Sequence, residues 1–161
     1  MKIVDSNKCG TLNASILERF ENLIGGGLPS DYRDYQLINN GGLPLYRGLK
    51  LSDQVGWTSV EYLSGLHDQK LSEHPTLISL YEADSEALPA EMISIGGDGS
   101  GITFCYFIKG TKRGCVYAIE PSAMQEMTEN EAKRENLTSD GIYYLADSFT
   151  NFLEILEKEP D

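Results

Sequence analysis

With 161 residues, 40% of them hydrophobic and 24% charged, the chain has the size and composition of one globular domain spanning 1–161, able to bury a core without disulfide or metal staples. Thirteen Lys and Arg against 25 Asp and Glu leave a formal net charge of −12. A field of that sign argues against direct nucleic-acid or membrane-surface binding and favours basic partners.

The elements follow in chain order. Leu12, Ile16, Phe20 and Leu23-Ile24 fall on one helical face, Asn13 or Ser15 can start that helix, and Gly25-Gly26-Gly27 ends it. Leu28-Pro29 brings the chain in extended, and Ser30 can cap a second helix, over roughly 29–40. Asp31 and Asp34 place negative charge in its first turn, and Tyr32, Tyr35 and Ile38 recur at three-residue spacing. Asn40-Gly41-Gly42 supplies residues that tolerate the left-handed conformation of a helix end. From Leu43 to about Leu66 the pattern shifts to short strand-like pieces: 43–46, 49–51 and 55–63. Residues 67–74, which hold both histidines, read as a surface loop.

Pro75-Thr76 opens a short helix carrying Leu77, Ile78, Leu80 and Tyr81, and the acidic segment 82–86 follows. Met92 to Ile95 reads as a strand, 96–101 as turn material, and Ile102 to Ile108 as the strongest strand in the chain. The turn 109–114 returns it into Cys115 to Ile119 as a β-hairpin. A polar, acid-rich stretch runs from Pro121 to about Gly141 and has the look of an insertion. Finally Ala146-Asp147-Ser148 caps a helix with Phe149, Phe152, Leu153 and Leu156 in one stripe. Helices at both ends of an antiparallel sheet argue for an α+β fold.

No catalytic constellation stands out. The 96–101 loop lacks the Gly-Lys-Ser/Thr ending of a phosphate loop, and a strand rather than a helix follows it, so a strand-to-strand turn accounts for its glycines. His67 and His74 have no companion cysteines or carboxylates at metal-ligand spacing, so neither a metal nor a cofactor is expected. Cys9, Cys105 and Cys115 form no CxxC pattern. With no signal-peptide-like start they point to reduced thiols in a cytoplasmic setting, with Cys105 an inert core thiol in the most apolar strand. No apolar run approaches the roughly 20 residues of a membrane span. Three acidic groups remain: Glu82, Asp84, Glu86 and Glu91; Glu120, Glu126, Glu129 and Glu131; and Glu154, Glu157, Glu159 and Asp161. Each alone reads as a solvated face, while together they can steer a basic partner. Trp57, the only tryptophan, reads first as core and second as an interface anchor.

Three blocks resemble the SUKH superfamily, in that superfamily's order. They are Leu28-Pro29-Ser30-Asp31-Tyr32 through Asn40-Gly41-Gly42; Leu88-Pro89 with Ile95-Gly96, Asp98-Gly99-Ser100-Gly101 and Gly114-Cys115-Val116-Tyr117; and Leu145-Ala146-Asp147-Ser148-Phe149 with Phe152-Leu153. The sequence departs from the pattern where Ile102-Thr103 follows Gly101 in place of a frequent asparagine, and in its longer, more polar 121–141 segment. The resemblance implies an antiparallel sheet with N-terminal helices and a C-terminal helix packed against it. It also implies a non-enzymatic immunity protein that neutralises a cognate toxin domain, often a nuclease, by binding it. The −12 charge suits a basic nuclease as that partner. On this reading the protein acts by stoichiometric occlusion as a monomer or weak dimer. Its candidate contacts are Asp31, Asp34, Glu82, Asp84, Glu86 and Asp98, with Tyr46 and Trp57 as aromatic anchors. Two rivals are a regulatory interaction module of the same fold and an enzyme using the 96–101 loop for a nucleotide.

Overall fold

The computed structural model describes residues 2–7, 10–66, 75–158 and 160. The loop expected at 67–74 with His67 and His74, together with Cys9, Glu159 and Asp161, lies outside the described residues. The chain runs through β1 (Ile3–Val4), α1 (Ala14–Ile24), α2 (Ser30–Asn39), β2 (Leu43–Pro44), β3 (Gly48–Ser52), β4 (Gly56–Ser59) and β5 (Tyr62–Leu63). It continues with α3 (Leu77–Asp84), β6 (Met92–Gly97), β7 (Thr103–Phe107), β8 (Val116–Ile119), α4 (Pro121–Glu129), α5 (Glu131–Asn136), β9 (Ile142–Ala146) and α6 (Phe149–Glu154).

Strands β5 to β9 form an antiparallel sheet in simple sequential order, and β1–β2 and β3–β4 are separate two-stranded pairs. The period of two along β7 sorts the core into two layers. Phe104 and Tyr106 face a large cluster that includes Leu17 and Phe20 of α1, Tyr32 and Tyr35 of α2, and Phe149 and Phe152 of α6. Cys105 and Phe107 face the opposite way, onto Met92, Ile119, and Ala123 and Met127 of α4. This is an α+β architecture with the N- and C-terminal helices on one face of the sheet. The main layer is pinned by aromatic rings: Tyr32 lies 4.9 Å from Tyr106 and 4.7 Å from Phe149, and Tyr35 lies 4.9 Å from Phe149, all tilted or edge-on.

Several expectations need correction. In α1 the Asn13 side chain accepts from the Ile16 amide and Gly25 closes the helix in the left-handed region, but Leu23 is exposed and Leu17 is buried in its place. In α2 the cap position belongs to Pro29, whose extended ψ of 143° delays the switch to helix until Ser30, so Ser30 is the first helical residue and not its cap. Ile38 is 70% exposed. A three-residue step falls about 60° short of a full turn, so Ile38 drifts off the face that Tyr32 and Tyr35 share, and Gln36 takes the buried position one turn after Tyr32. The single run at 55–63 is two strands: β4 pairs with β3, and β5 with β6. Trp57 is 44% exposed on β4, so it is not core. The stretch 121–141 carries α4 and α5, and α4 covers the second face of the sheet. The sequence reading missed β9, the last strand of that sheet, whose residues lack a clean inside–outside alternation.

Candidate functional site

The signature segment at 28–42 turns inward. The Gln36 amide nitrogen donates to the Tyr32 hydroxyl at 2.8 Å and the Ser64 carbonyl at 3.0 Å, while its oxygen accepts from the Gly41 amide at 3.0 Å. Asn40 sits in the left-handed conformation at φ 38° and is almost wholly buried. Its side-chain nitrogen donates to the carbonyls of Gly10 at 2.7 Å and Leu66 at 3.0 Å, and its oxygen accepts from the Leu66 amide at 2.7 Å. The two side chains thus dock the segment after β5 onto the end of α2. Gly65 permits the approach, since a Cβ there would lie 2.6 Å from the Asn40 carbonyl oxygen. These are the polar partners that backbone groups require when they leave water without joining a strand or helix.

Three of the candidate contact carboxylates are engaged within the molecule. Asp31 accepts from the amide and hydroxyl of Thr150, each at 3.0 Å, and so ties α2 to the first turn of α6. Asp84 is half-buried and accepts from the Ser94 hydroxyl at 2.6 Å. Burial raises its pKa above the usual carboxylate value, more than the Ser94 bond lowers it. Asp98 organises the β6–β7 turn: it accepts from the Ser100 amide at 2.9 Å, the Ile102 amide at 3.0 Å, the Ser100 hydroxyl at 2.7 Å and, from β4, the Thr58 hydroxyl at 2.8 Å. Burial pushes its pKa up, but these hydrogen bonds outweigh it and leave the group below the ordinary value. The turn's own carboxylate therefore occupies two amides that a phosphate loop would present to its ligand.

The remaining candidates face outward. Asp34, Glu82 and Glu86 are exposed, so Glu82, Asp84 and Glu86 do not form one face. Tyr46 and Trp57 are 54% and 44% exposed. Trp57 stands opposite Lys50 in the β3–β4 register, and exposed Val55 shares that hairpin. Leu45, next to Tyr46, is also exposed. The sequence reading did not single out Leu45 or Val55; the signal available was their place beside the two aromatic residues in short strands with no long apolar partner run.

Cys105 is fully buried, and burial together with the nearby Asp84 charge pushes its thiol far up, the opposite of a nucleophile's setting. It lies opposite Tyr117, whereas the Cys115 carbonyl accepts from the Phe107 amide. The two thiols are free and out of register with one another. Among the described residues no group of three or more His, Cys, Asp and Glu is arranged to hold a metal ion, and no helix is long and apolar enough to cross a membrane.

No curated protein matches the sequence. The model of the SMI1 / KNR4 family (SUKH-1) matches residues 11–155, from the lead-in to α1 to the end of α6, and so takes in both the inward-turned signature and the five-stranded sheet. The chain belongs to the SMI1 / KNR4 family (SUKH-1).

Proposed function

We propose that this protein is a non-catalytic immunity protein that binds a cognate toxin domain, a basic nuclease, and neutralises it by stoichiometric occlusion. The observation that carries the reading is the family membership joined to a net charge of −12. A nuclease presents cationic groups to phosphates, and acidic side chains on a folded partner compete for them and speed the encounter. Asp34, Glu82 and Glu86 supply exposed charge, and Tyr46 and Trp57 supply the aromatic area typical of interface anchors. Asp31, Asp84 and Asp98 act on this surface through the segments they hold in place.

The test is co-expression with a candidate toxin domain encoded beside its gene, scoring growth and then co-elution. Rescue with a stable one-to-one complex supports the proposal. Rescue without a complex replaces occlusion with indirect protection, and no rescue transfers the reading to a regulatory interaction module of the same fold.

A further inference from the structure

The five-stranded sheet covers one of its edges and leaves the other open. At the β5 edge the turn that follows α2 packs against the strand. A Cβ on Gly41 would lie 3.0 Å from the Leu63 carbonyl oxygen, and the Ser64 carbonyl accepts from Gln36 at 3.0 Å. Strand β9 forms the other edge. Its ladder with β8 runs Ile119↔Ile142, Ala118↔Tyr143 and Tyr117↔Tyr144, and just outside it the Glu120 amide donates to the Gly141 carbonyl at 2.9 Å. Bonded and non-bonded pairs alternate along an antiparallel ladder. Tyr143 therefore points its amide and carbonyl at β8, while Ile142 and Tyr144 point theirs away. No described residue takes up these outward groups. Strand β3 shares the main core with Tyr143 and Leu145 but forms no ladder with β9. Sheet edges are commonly guarded by lysine, proline or a bulge. The stretch Ile142-Tyr143-Tyr144-Leu145-Ala146 carries no charge and no proline, and none of its first four residues is buried. A bulge interrupts the ladder beyond Tyr144, so the regular open edge is 142–144.

We propose that β9 pairs antiparallel with β9 of a second copy of this chain, about a two-fold axis at Tyr143, joining the two sheets edge to edge. The strand is its own complement. In that register Ile142 of each copy lies opposite Tyr144 of the other, and their outward amides and carbonyls satisfy one another reciprocally. The cross-strand pairs are of the kinds that stabilise a sheet: an aromatic ring against a β-branched side chain at Tyr144 and Ile142, and ring against ring at Tyr143. Tyr144 is exposed, with its ring 5.6 Å from Tyr117, so the second copy extends an aromatic stripe already present. The flanking Asp140 and Asp147 stand outside the paired stretch. An uncharged edge offers nothing to the cations of a basic partner, which separates this contact from the charged surface invoked above. Because the β5 edge is covered, pairing stops at two copies and does not grow into a filament. The net charge of −12 on each copy opposes the contact, which makes the dimer weak and strengthened by salt. The inference goes beyond the immunity reading and does not rest on it.

The test joins sedimentation velocity of the whole chain, over a range of concentrations in about 0.02 M and about 0.5 M NaCl, to amide exchange followed by NMR. The expected result is a monomer–dimer equilibrium about tenfold tighter at the higher salt. Exchange at Ile142 and Tyr144 should slow as concentration rises, while Tyr143, already bonded to β8, stays unchanged. Tyr144→Pro removes an amide that faces away from β8, where an edge strand tolerates proline, and should weaken the dimer at least about tenfold. The exchange pattern of the parent decides the matter even where that variant fails to fold. A monomer at every concentration, species larger than a dimer, association that weakens with salt, dimers without slowed exchange at 142 and 144, or a folded Tyr144→Pro variant that dimerises as before would each overturn the proposal. Protection of the same amides by a toxin domain alone, with the free protein monomeric, would overturn it too and give the edge to the toxin.

Discussion

Replacing Asn40 by alanine tests whether the signature segment is chiefly a folding device. The substitution removes three hydrogen bonds at once and leaves the buried amide and carbonyl of Leu66, and the carbonyl of Gly10, without the partner they have now. A buried backbone group stripped of its partner costs about 1–3 kcal/mol, and the Leu66 amide, which has one hydrogen to place, accounts for most of that. Alanine must also hold the left-handed conformation that Asn40 adopts at φ 38°, at a further cost of about 1 kcal/mol. The expected loss is about 2–4 kcal/mol, a large share of the stability of a domain this size. Urea unfolding followed by circular dichroism, with the slope checked for constancy, measures it. Asn40→Gly separates the two causes: it loses the same hydrogen bonds but no left-handed strain, and should lie about 1 kcal/mol above the alanine variant. An alanine variant within about 1 kcal/mol of the parent, or a glycine variant that falls just as far, would refute this account of the motif.

Four further outcomes follow from the same geometry. Gly96→Ala drives a methyl into the Tyr62 carbonyl oxygen and onto Leu63, so it should displace β5 and cost about 2–4 kcal/mol, read as lost amide-exchange protection at 62–64. Asp31→Ala removes the acceptor for Thr150 in the first turn of α6 and should cost about 1–2 kcal/mol by chemical denaturation, while Asp34→Ala, on an exposed residue of the same helix, should cost almost nothing. Because the pKa of Asp84 is raised in the folded state, its contribution to stability is full in acid and is lost as pH rises through the folded value. The parent should therefore gain on Asp84→Asn as pH falls from about 7 to about 4, and a difference between the two that is flat or runs the other way would contradict the burial argument. Trp57→Ala should cost about 1–2 kcal/mol of stability and leave the fold intact, yet weaken the proposed toxin complex about tenfold or more by calorimetry.

The fold was legible wherever local chemistry and tertiary role coincide. Asn13 as a cap, Gly25 as a left-handed stop, the aromatic run of β7 and the stripe of α6 behave as their residue types dictate. Ser30 and Ile38 misled because residue type was weighed before geometry: a proline at the cap position and a drift around the helix decide where each points. Strand β9 was hidden because its register is supplied by β8, with little alternation of its own to announce it. Candidate contacts were harder still. Carboxylates that look alike in sequence divide into part-buried acceptors such as Asp98 and exposed charge such as Glu86, according to partners far away in the chain. The open edge of β9 rests on its register against β8, which neither strand reveals alone.

The inward turn of Gln36 and Asn40 has a practical consequence for anyone who would re-engineer the molecule. The hairpin that carries Trp57 and the exposed side of α5 take no part in that docking, and no residue of α5 is buried. Randomised libraries confined to the exposed side chains of those two regions, leaving Leu49 and Thr58 in place, would sample new specificities on an unchanged scaffold, whereas shuffling the stretch from Leu28 to Gly42 would yield chains that do not fold.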